Sequence, residues 1–291
     1  MDQFSKWLVS ITLIEMMVAI GMGVTWNGLV LVAKNRRLIL ASVFANYFCV
    51  PAAGLVLVHL LNSAPLTSAG FLIIAVCPGS SYGPPMTQAA KGNLAVAVGL
   101  MVLLSASSAV VAPVWLHVLL PLASTNDAVS IDLAKVIGVL LVTQLVPVCI
   151  GLSIRHWWPN VAQKLKRPAD RVALALNIVL ITCILATHYS LFSRLEPRGI
   201  IGMTALLVVS LSAGWLLGGP ATEDRRALAL TSSLRNVGPS LVIATAAFPG
   251  TPAVVAVLGY ALFEIVGSLM IVTWWHRSPA AEPFEQMLKS S

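Results

Sequence analysis

The sequence predicts an all-α polytopic membrane protein with nine transmembrane helices, arranged as inverted repeats with two discontinuous crossing helices. Hydrophobic residues make up 58% of the 291 residues and charged residues 10%, and the mean hydropathy is +0.89. A soluble domain of this length would not tolerate such a surface. Apolar runs of about 20 residues, enough for one crossing, recur along the chain. Prolines and glycines interrupt two of these runs.

The nine apolar runs define the order of the predicted spans. In chain order they are 8–31, 38–61, 67–90 (broken), 93–119, 131–154, 172–193, 199–218, 227–248 (broken) and 252–275. An outer N-terminus and a cytoplasmic C-terminus put 13 of the 18 basic residues on the cytoplasmic side. The positive-inside rule therefore predicts this orientation in an inner or plasma membrane. Glu15 interrupts the first apolar run, so we expect no removable signal peptide.

The first broken span contains the segment Cys77–Pro85, which has three prolines and two glycines in nine positions. Proline lacks an amide donor and clashes with the preceding turn, so this segment cannot continue a helix. Non-helical backbone survives at membrane depth only where it lines a polar cavity or is covered by protein. The second break, Arg235–Pro239, occupies the corresponding place in the other half. Paired breaks in inverted halves are typical of transporters, although channels also contain re-entrant loops.

Several other classes of function find no support in the sequence. The net charge of +7 arises from basic residues in short connections, where they set orientation, so we expect no nucleic-acid partner. The four cysteines show no metal-ligand spacing. Neither a metalloprotease motif nor a phosphate-binding glycine loop is present, so we expect no enzyme and no cofactor. The expected partners are membrane lipids and a small solute, with no obligatory protein partner.

Four motifs resemble the bile acid:sodium symporter family, in order, between about residues 8 and 275. They are Gly21–Thr25, Cys77–Gly79, Lys91–Asn93, and Asn236 with Gly238. The nine-span layout is similar to members that lack the first helix of a ten-helix form. The resemblance implies a core domain (38–119 and 199–275) that slides against a panel domain (8–31 and 131–193). It also implies an organic anion as substrate, from bile acids to smaller carboxylates, with sodium as the usual coupling ion.

The chain departs from this family where the family's sodium ligands are expected. The aligned residues are Gly83, Pro84, Ala97, Met101, Thr231 and Arg235. Sodium is a hard cation that needs several oxygen ligands, and most of these side chains supply none. We therefore expect sodium dependence to be weak or absent. A proton remains a candidate coupling ion, and uniport or exchange remains open.

Arg235 is the basic residue predicted to lie deepest in the membrane. Such an arginine costs roughly 3 kcal/mol to insert, so it requires a partner or a polar cavity. One interpretation places its charge where a sodium ion would sit, where it stabilises the crossing helices and attracts an anion through bidentate hydrogen bonds. The alternative is that the eighth span is misplaced and Arg235 extends to the headgroups.

Polar and flexible residues gather at both breaks and form the predicted substrate site. They are Ser80, Ser81, Tyr82, Gly83, Thr87, Arg235, Asn236 and Gly238. The N-termini of half-helices present unpaired amides that suit an anion. The alternative for any single serine is a hydrogen bond back to the carbonyl one turn earlier.

Four further residues are candidates for coupling or charge pairing. Glu264 and Glu15 lie inside predicted spans, and either could carry a proton because burial favours the protonated carboxyl group. Each could instead pair with Arg235 or hydrogen-bond a neighbouring helix. Asn46 precedes Pro51 and is expected to face the first break, and Thr231 lies near the second.

These observations favour a secondary transporter of organic anions that works by alternating access. The alternative, from a different class, is a transport-dead receptor or a channel-like protein that keeps the same fold. The identity of the anion and the oligomeric state stay open.

Overall fold

The structure is a computed structural model that describes residues 3–25, 30, 32, 34–123, 132–192 and 197–277. In its first half, seven α-helices have described bounds, and breaks and connections separate them. They are α1 (Gln3–Gly23), α2 (Arg36–Phe44), α3 (Val50–Leu61), α4 (Pro65–Val76), α5 (Gly83–Ala89), α6 (Leu94–Ala123) and α7 (Leu133–Leu140). A π-helical turn, Ala45–Cys49, joins α2 to α3.

The second half contains six more α-helices. They are α8 (Val146–Trp157), α9 (Pro159–Phe192), α10 (Pro197–Leu217), α11 (Thr222–Ser233), α12 (Val237–Ala247) and α13 (Pro252–Arg277). A second π-helical turn, Leu141–Leu145, joins α7 to α8. The predicted all-α class is confirmed for the described residues, whose extended backbone is limited to one isolated bridge.

Five helical stretches in the described chain are long and apolar enough to cross a membrane. They are Arg36–Leu61, Leu94–Ala123, Ala134–Trp157, Pro197–Leu217 and Pro252–Arg277. Shorter apolar helices cover Trp7–Gly23, Pro65–Val76 and Val237–Ala247. The chain is therefore an integral membrane protein, whereas the count of nine spans and the repeat relationship stay predictions.

The first break is shorter than the sequence predicts. Helix α4 ends at Val76, and α5 already begins at Gly83, so only residues 77–82 are non-helical. Pro84 and Pro85 lie in the first turn of α5, where a missing amide donor removes no helical hydrogen bond. Gly79 has a positive φ of 92°, and a Cβ there would lie 2.4 Å from the backbone nitrogen of Ser105. Only glycine fits at this turn.

The two π-helical turns share a local cause. Each is followed by a proline, Pro51 or Pro147, in the first turn of the next helix. A proline removes an amide donor and pushes away the carbonyl four residues earlier, which widens the preceding turn. The two wide turns carry Asn46 and Gln144, whose side chains are fully buried.

The structure corrects one expectation about the segment between Arg155 and Arg171. The sequence indicates a polar connection there, between the spans at 131–154 and 172–193. In the structure α8 runs to Trp157 and α9 begins at Pro159, so Trp158 alone separates the two helices. Pro159 starts the helix well because its fixed φ suits the first position. The basic residues of this segment therefore lie on a helix, and their positions follow helical spacing.

Helix α1 packs closely on α8. A Cβ at Gly21 would lie 2.4 Å from the carbonyl oxygen of Val148, and a Cβ at Gly151 would lie 2.3 Å from that of Val18. The two glycines thus let the backbones approach closely, as small residues do between membrane helices. Helix α4 is enclosed by its neighbours, since every residue from Ser68 to Val76 is buried.

Candidate functional site

The two helix breaks meet at a backbone crossing. The Asn236 amide donates to the Cys77 carbonyl over 2.8 Å, and Pro78 lies opposite Arg235 in an antiparallel bridge. The Asn236 side-chain amide donates to the Gly79 carbonyl at 3.1 Å and to the Ser105 hydroxyl at 3.2 Å. The freed backbone at the first break is thus partly satisfied by the second, as apolar surroundings require.

The guanidinium of Arg235 lies at this crossing and is fully buried. Its Nε donates to the Ile74 carbonyl at 3.1 Å, and Nη2 donates to the Ala75 carbonyl. Its Nη1 donates to Asn46 Oδ1 at 2.8 Å and to the Ser232 carbonyl at 3.3 Å. Ile74, Ala75 and Ser232 belong to the last turns of α4 and α11, where backbone carbonyls lack the amide donors that a continuing helix would supply. Arg235 therefore ties together the C-terminal ends of two half-helices, where the helix dipoles favour a cation.

Glu264 and Tyr260, on α13, enclose the second break. Glu264 is fully buried, and its Oε2 accepts the backbone amide of Arg235 over 2.8 Å. Its Oε1 has no hydrogen-bond partner among the described residues. The Tyr260 hydroxyl donates to the Ser233 carbonyl at 3.4 Å. Glu264 thus holds the backbone at Arg235, and one carboxyl oxygen remains free.

A cavity of about 620 Å³ lies beside the crossing. Helices α1 and α9 line one side of it, while the first break, α5 and α6 line the other. Its polar and sulfur-bearing lining residues are Met16, Ser81, Tyr82, Gln88, Met101, Lys166 and Asp170. This volume suits a small organic molecule.

Lys166 and Asp170, one turn apart on α9, form an ion pair at the cavity. Their side chains are 32% and 53% exposed, so this end of the cavity reaches solvent. The stem of Lys166 crosses Gly23 at the end of α1, where a Cβ would lie 2.5 Å from Lys166 Cε. Gly23 thus leaves the space that Lys166 needs to reach the cavity. Within the described residues this is the one ion pair.

The structure separates the predicted substrate residues into three groups. Ser81 and Tyr82 line the cavity, and the Ser81 hydroxyl donates to Met16 Sδ at 3.3 Å. Gly238, with Tyr82, borders a much smaller apolar cavity of about 30 Å³. The remaining residues are buried outside the lining of the large cavity: Ser80, Gly83, Thr87, Arg235 and Asn236. An anion-binding role for this buried group stays a prediction.

The four coupling candidates lie in different surroundings. Asn46 contacts Arg235 directly and also donates to Ser232 Oγ at 3.0 Å, so these two predicted residues are brought together. Thr231 is buried and donates to the Ala227 carbonyl one turn earlier. Glu15 lies on α1 within the electrostatic reach of Lys166 and Asp170, and its Oε2 has no partner in the described part of the chain.

The positions that the resemblance predicts as sodium-ligand positions offer few side-chain oxygen atoms. Gly83 and Ala97 are buried and carry no side-chain oxygen, and Pro84 and Met101 line the cavity with apolar atoms. Thr231 has its hydroxyl engaged as described, with its methyl group near Gly83. These side chains supply fewer oxygens than a hard cation needs around one point.

Sequence reasoning missed three polar residues that the structure places at the cavity or next to the crossing. Lys166 and Gln88 line the cavity. Gln144, on the second π-helical turn, donates to the Ser105 carbonyl and to the Ser108 hydroxyl, the latter at 2.9 Å. It thereby links the α7–α8 segment to α6, beside the Asn236–Ser105 contact. A signal was present, because Gln144 precedes Pro147 inside an apolar run, much as Asn46 precedes Pro51, although the two spacings are three and five residues.

A membrane-embedded bundle in which two helix breaks cross beside a cavity is typical of membrane carriers. The Sodium Bile acid symporter family model matches residues 10–195, more than half of the chain, and the chain belongs to this family. It is accordingly a member of a transporter family rather than an enzyme, and the suspected resemblance is confirmed.

Individual relatives are distant and differ in length. The "Uncharacterized sodium-dependent transporter YocS" of Bacillus subtilis is 22% identical over 93% of this chain and 84% of its own length. The "Probable sodium/metabolite cotransporter BASS1, chloroplastic" of Arabidopsis thaliana is 21% identical over 90% of this chain. The rabbit (Oryctolagus cuniculus) "Ileal sodium/bile acid cotransporter" is 25% identical over 67% of it. The matched regions span 65% of the Arabidopsis protein and 57% of the rabbit protein.

Proposed function

We propose that the protein is a secondary transporter of organic anions, carboxylates of bile-acid type or smaller, that works by alternating access. The observation that carries the proposal is the cavity of about 620 Å³ between α1 and α9 on one side and the first break with α6 on the other. A cavity bounded by two groups of helices can be exposed to either side when one group slides against the other.

The proposed architecture assigns the helices to two moving parts. The panel comprises α1 and α7–α9, and the core comprises α2–α6 and α10–α13, with inverted halves and nine spans. The N-terminus is outside and the C-terminus is cytoplasmic, in keeping with the positive-inside distribution. Gln144 and Ser105 form a polar contact between panel and core, so this contact must rearrange during the sliding motion.

Lys166 is the proposed contact for the substrate anion. It is the one cationic side chain among the described residues that line the cavity, and Asp170 neutralises it there. An incoming carboxylate replaces Asp170 as the partner of the ammonium group, with Ser81, Tyr82 and Gln88 available for further hydrogen bonds. Exposed ion pairs contribute only about 0–1 kcal/mol to stability, so the exchange of one carboxylate for another requires little free energy.

Arg235 is proposed to supply internally the positive charge that sodium supplies in sodium-coupled relatives. Its four side-chain hydrogen bonds at the crossing and the poor oxygen set at the aligned sodium positions support this role. Sodium dependence is therefore weak or absent. If transport is coupled to protons, Glu264 is the proposed carrier, because its Oε1 is buried without a partner among the described residues. Glu15, beside Lys166, is the second candidate.

The test is uptake of labelled carboxylates into proteoliposomes, with inward sodium gradients compared with equal choline gradients. We expect uptake to saturate, to show counterflow and to be nearly equal in the two salts. Steep sodium dependence would contradict the proposed role of Arg235. Substrate binding without flux would instead indicate the receptor, and flux without saturation would indicate the channel.

Two lysine variants test the cavity assignment within the same assay. Lys166→Gln is expected to raise the half-saturating anion concentration about tenfold, the value of one hydrogen bond to a charged group. Lys164→Gln is the matched control, because Lys164 is exposed on the same helix and does not line the cavity. Equal effects of the two substitutions would remove Lys166 from the substrate site.

A further inference from the structure

An open groove lies between α10 and α13, and none of its lining residues lines the substrate cavity. Its volume is about 550 Å³. Trp215 and Trp275 form its aromatic part, with rings stacked at 5.2 Å between centroids, and Leu216 and Ile271 form its apolar walls. Arg226, from α11, also lines the groove. The groove is thus mostly apolar, with one cationic residue in its lining.

Arg226 is buried and has very few partners for its charge. The residue is 6% exposed. Its Nη1 donates to the Ala90 carbonyl at 2.9 Å, and its guanidinium lies 5.9 Å from the centre of the Trp275 ring. Its Nε is buried without a hydrogen-bond partner among the described residues. A guanidinium has five N–H donors, so most of its capacity is unused.

The carboxylates near Arg226 do not neutralise it. Within the described part of the chain, no carboxylate lies within 4.0 Å of Arg226. Asp224 accepts a hydrogen bond from the Asn93 side chain at 2.8 Å, and Glu223 is exposed. A buried charge without a counter-charge is costly, and stacking on an indole offsets only part of this cost. The groove therefore presents a cation that an external anion can pair with.

The position of Arg226 along α11 indicates where this anion comes from. Arg226 precedes Arg235 by nine positions, which corresponds to about 13 Å along a helix. With Arg235 near the middle of the membrane, Arg226 lies close to the boundary of a hydrocarbon core about 30 Å thick. Tryptophans such as Trp215 and Trp275 are typical of this boundary. Lys91 and Arg277 belong to the same end of the bundle and favour anionic headgroups.

We infer that this groove is a binding site for an anionic phospholipid. The phosphate pairs with the unused donors of Arg226, and an acyl chain lies along Leu216 and Ile271 between α10 and α13. A phospholipid fits better than a free anion because the groove is mostly apolar and open along the face of the bundle. The site is separate from the substrate cavity and does not depend on which anion is transported.

Lipid titration of the purified protein in phosphatidylcholine-containing micelles tests the inference. The bound lipid is counted by native mass spectrometry, and the melting temperature is followed in parallel. We expect phosphatidylglycerol to bind saturably and to raise the melting temperature, with phosphatidylcholine much weaker. Arg226→Gln is expected to weaken phosphatidylglycerol binding at least about fivefold. Arg225→Gln is the matched control, because Arg225 also stacks on a tryptophan but does not line the groove; it should change binding less than twofold.

A second variant keeps the test decisive if Arg226→Gln does not fold. Ser212 is exposed and lines the groove, so Ser212→Trp fills the groove without altering the arginine or the interior. It should also abolish saturable phosphatidylglycerol binding. Unchanged binding in Ser212→Trp overturns the inference. Glycerol phosphate that raises the melting temperature as much as phosphatidylglycerol would show a free-anion site, and phosphatidylcholine of equal affinity would show an apolar groove only.

Discussion

Two buried arginines at the two ends of α11 are held in opposite ways. Arg235, just beyond its C-terminal end, donates to four acceptors on three different segments. Arg226, in its first half, donates to one carbonyl and stacks on one indole. A buried arginine whose donors are bonded within the protein has a structural role. A buried arginine with unused donors beside an open groove can bind a ligand. The same residue type thus has two roles, and the difference lies in its acceptors.

Removal of Arg235 should have the largest effect. Arg235→Gln leaves the carbonyls of Ile74 and Ala75 without their cationic partner. We therefore expect the free energy of unfolding to fall by about 3 kcal/mol or more. Arg235→Lys should be intermediate, because one ammonium group cannot reproduce the planar fork that reaches both helix ends. Thermal unfolding followed by size-exclusion chromatography measures both. A melting temperature of Arg235→Gln equal to that of the wild type would refute the structural role.

Loss of one acceptor of Arg235 should have the next largest effect. Asn46→Leu removes the hydrogen bond that Arg235 Nη1 donates to Asn46. It should lower the free energy of unfolding by about 1–3 kcal/mol. Its effect should not add to that of Arg235→Gln, because both substitutions break the same interaction.

The adjacent Tyr47 provides the matched control for Asn46. Tyr47→Phe removes hydrogen bonds to the Leu104 carbonyl and to Ser107, neither of which involves Arg235. The effects of Tyr47→Phe and Arg235→Gln should therefore add within about 0.5 kcal/mol. Additivity of Asn46→Leu with Arg235→Gln would show that Asn46 does not act through the guanidinium.

Arg226→Gln, measured without anionic lipid, should have a smaller effect than either change at the crossing. It removes one hydrogen bond to a neutral carbonyl, and we expect a loss of about 1 kcal/mol or less. The neutral amide also relieves the cost of an unpaired buried charge. A loss as large as that of Arg235→Gln would mean that Arg226 is a structural residue, and the contrast between the two arginines would fail.

Asp170→Asn extends the comparison to an exposed cation and should affect stability least, by about 0.2–1 kcal/mol. It frees Lys166 from its partner, so the half-saturating concentration of a carboxylate substrate should fall about two- to threefold. Transport assays in proteoliposomes at low ionic strength measure this change. Glu223→Gln is a suitable control, because Glu223 is exposed and outside the cavity lining. A rise in the half-saturating concentration would mean that Asp170 orients Lys166 rather than competing for it.

The helix breaks were the most predictable part of the fold. Proline and glycine act through their own backbone, so Cys77–Pro85 and Arg235–Pro239 could be recognised without tertiary information. The residues at which each break begins and ends were less predictable. Pro84 and Pro85 start α5 instead of prolonging the break, because a proline either ends a helix or begins one depending on the preceding residues.

The candidate site was only partly predictable. An arginine inside an apolar run demands partners, which directed attention to Arg235, but carbonyls of α4 became those partners only when two distant half-helices met. Lys166 was missed because a charged segment between two spans suggests a connection, whereas the structure continues α9 through it. Helical spacing then directs Lys166 to the cavity and leaves Lys164 exposed.

By itself the sequence determined what each residue's own chemistry decides: that the chain is helical and membrane-embedded, where its helices must break, and that Arg235 is costly to bury. The tertiary structure alone decided which acceptors surround each cation. It gives Arg235 four partners, exposes the Lys166–Asp170 pair at a cavity and leaves Arg226 with one carbonyl. The physical reason is that the cost of a buried charge depends on the neighbours that packing brings from distant parts of the chain.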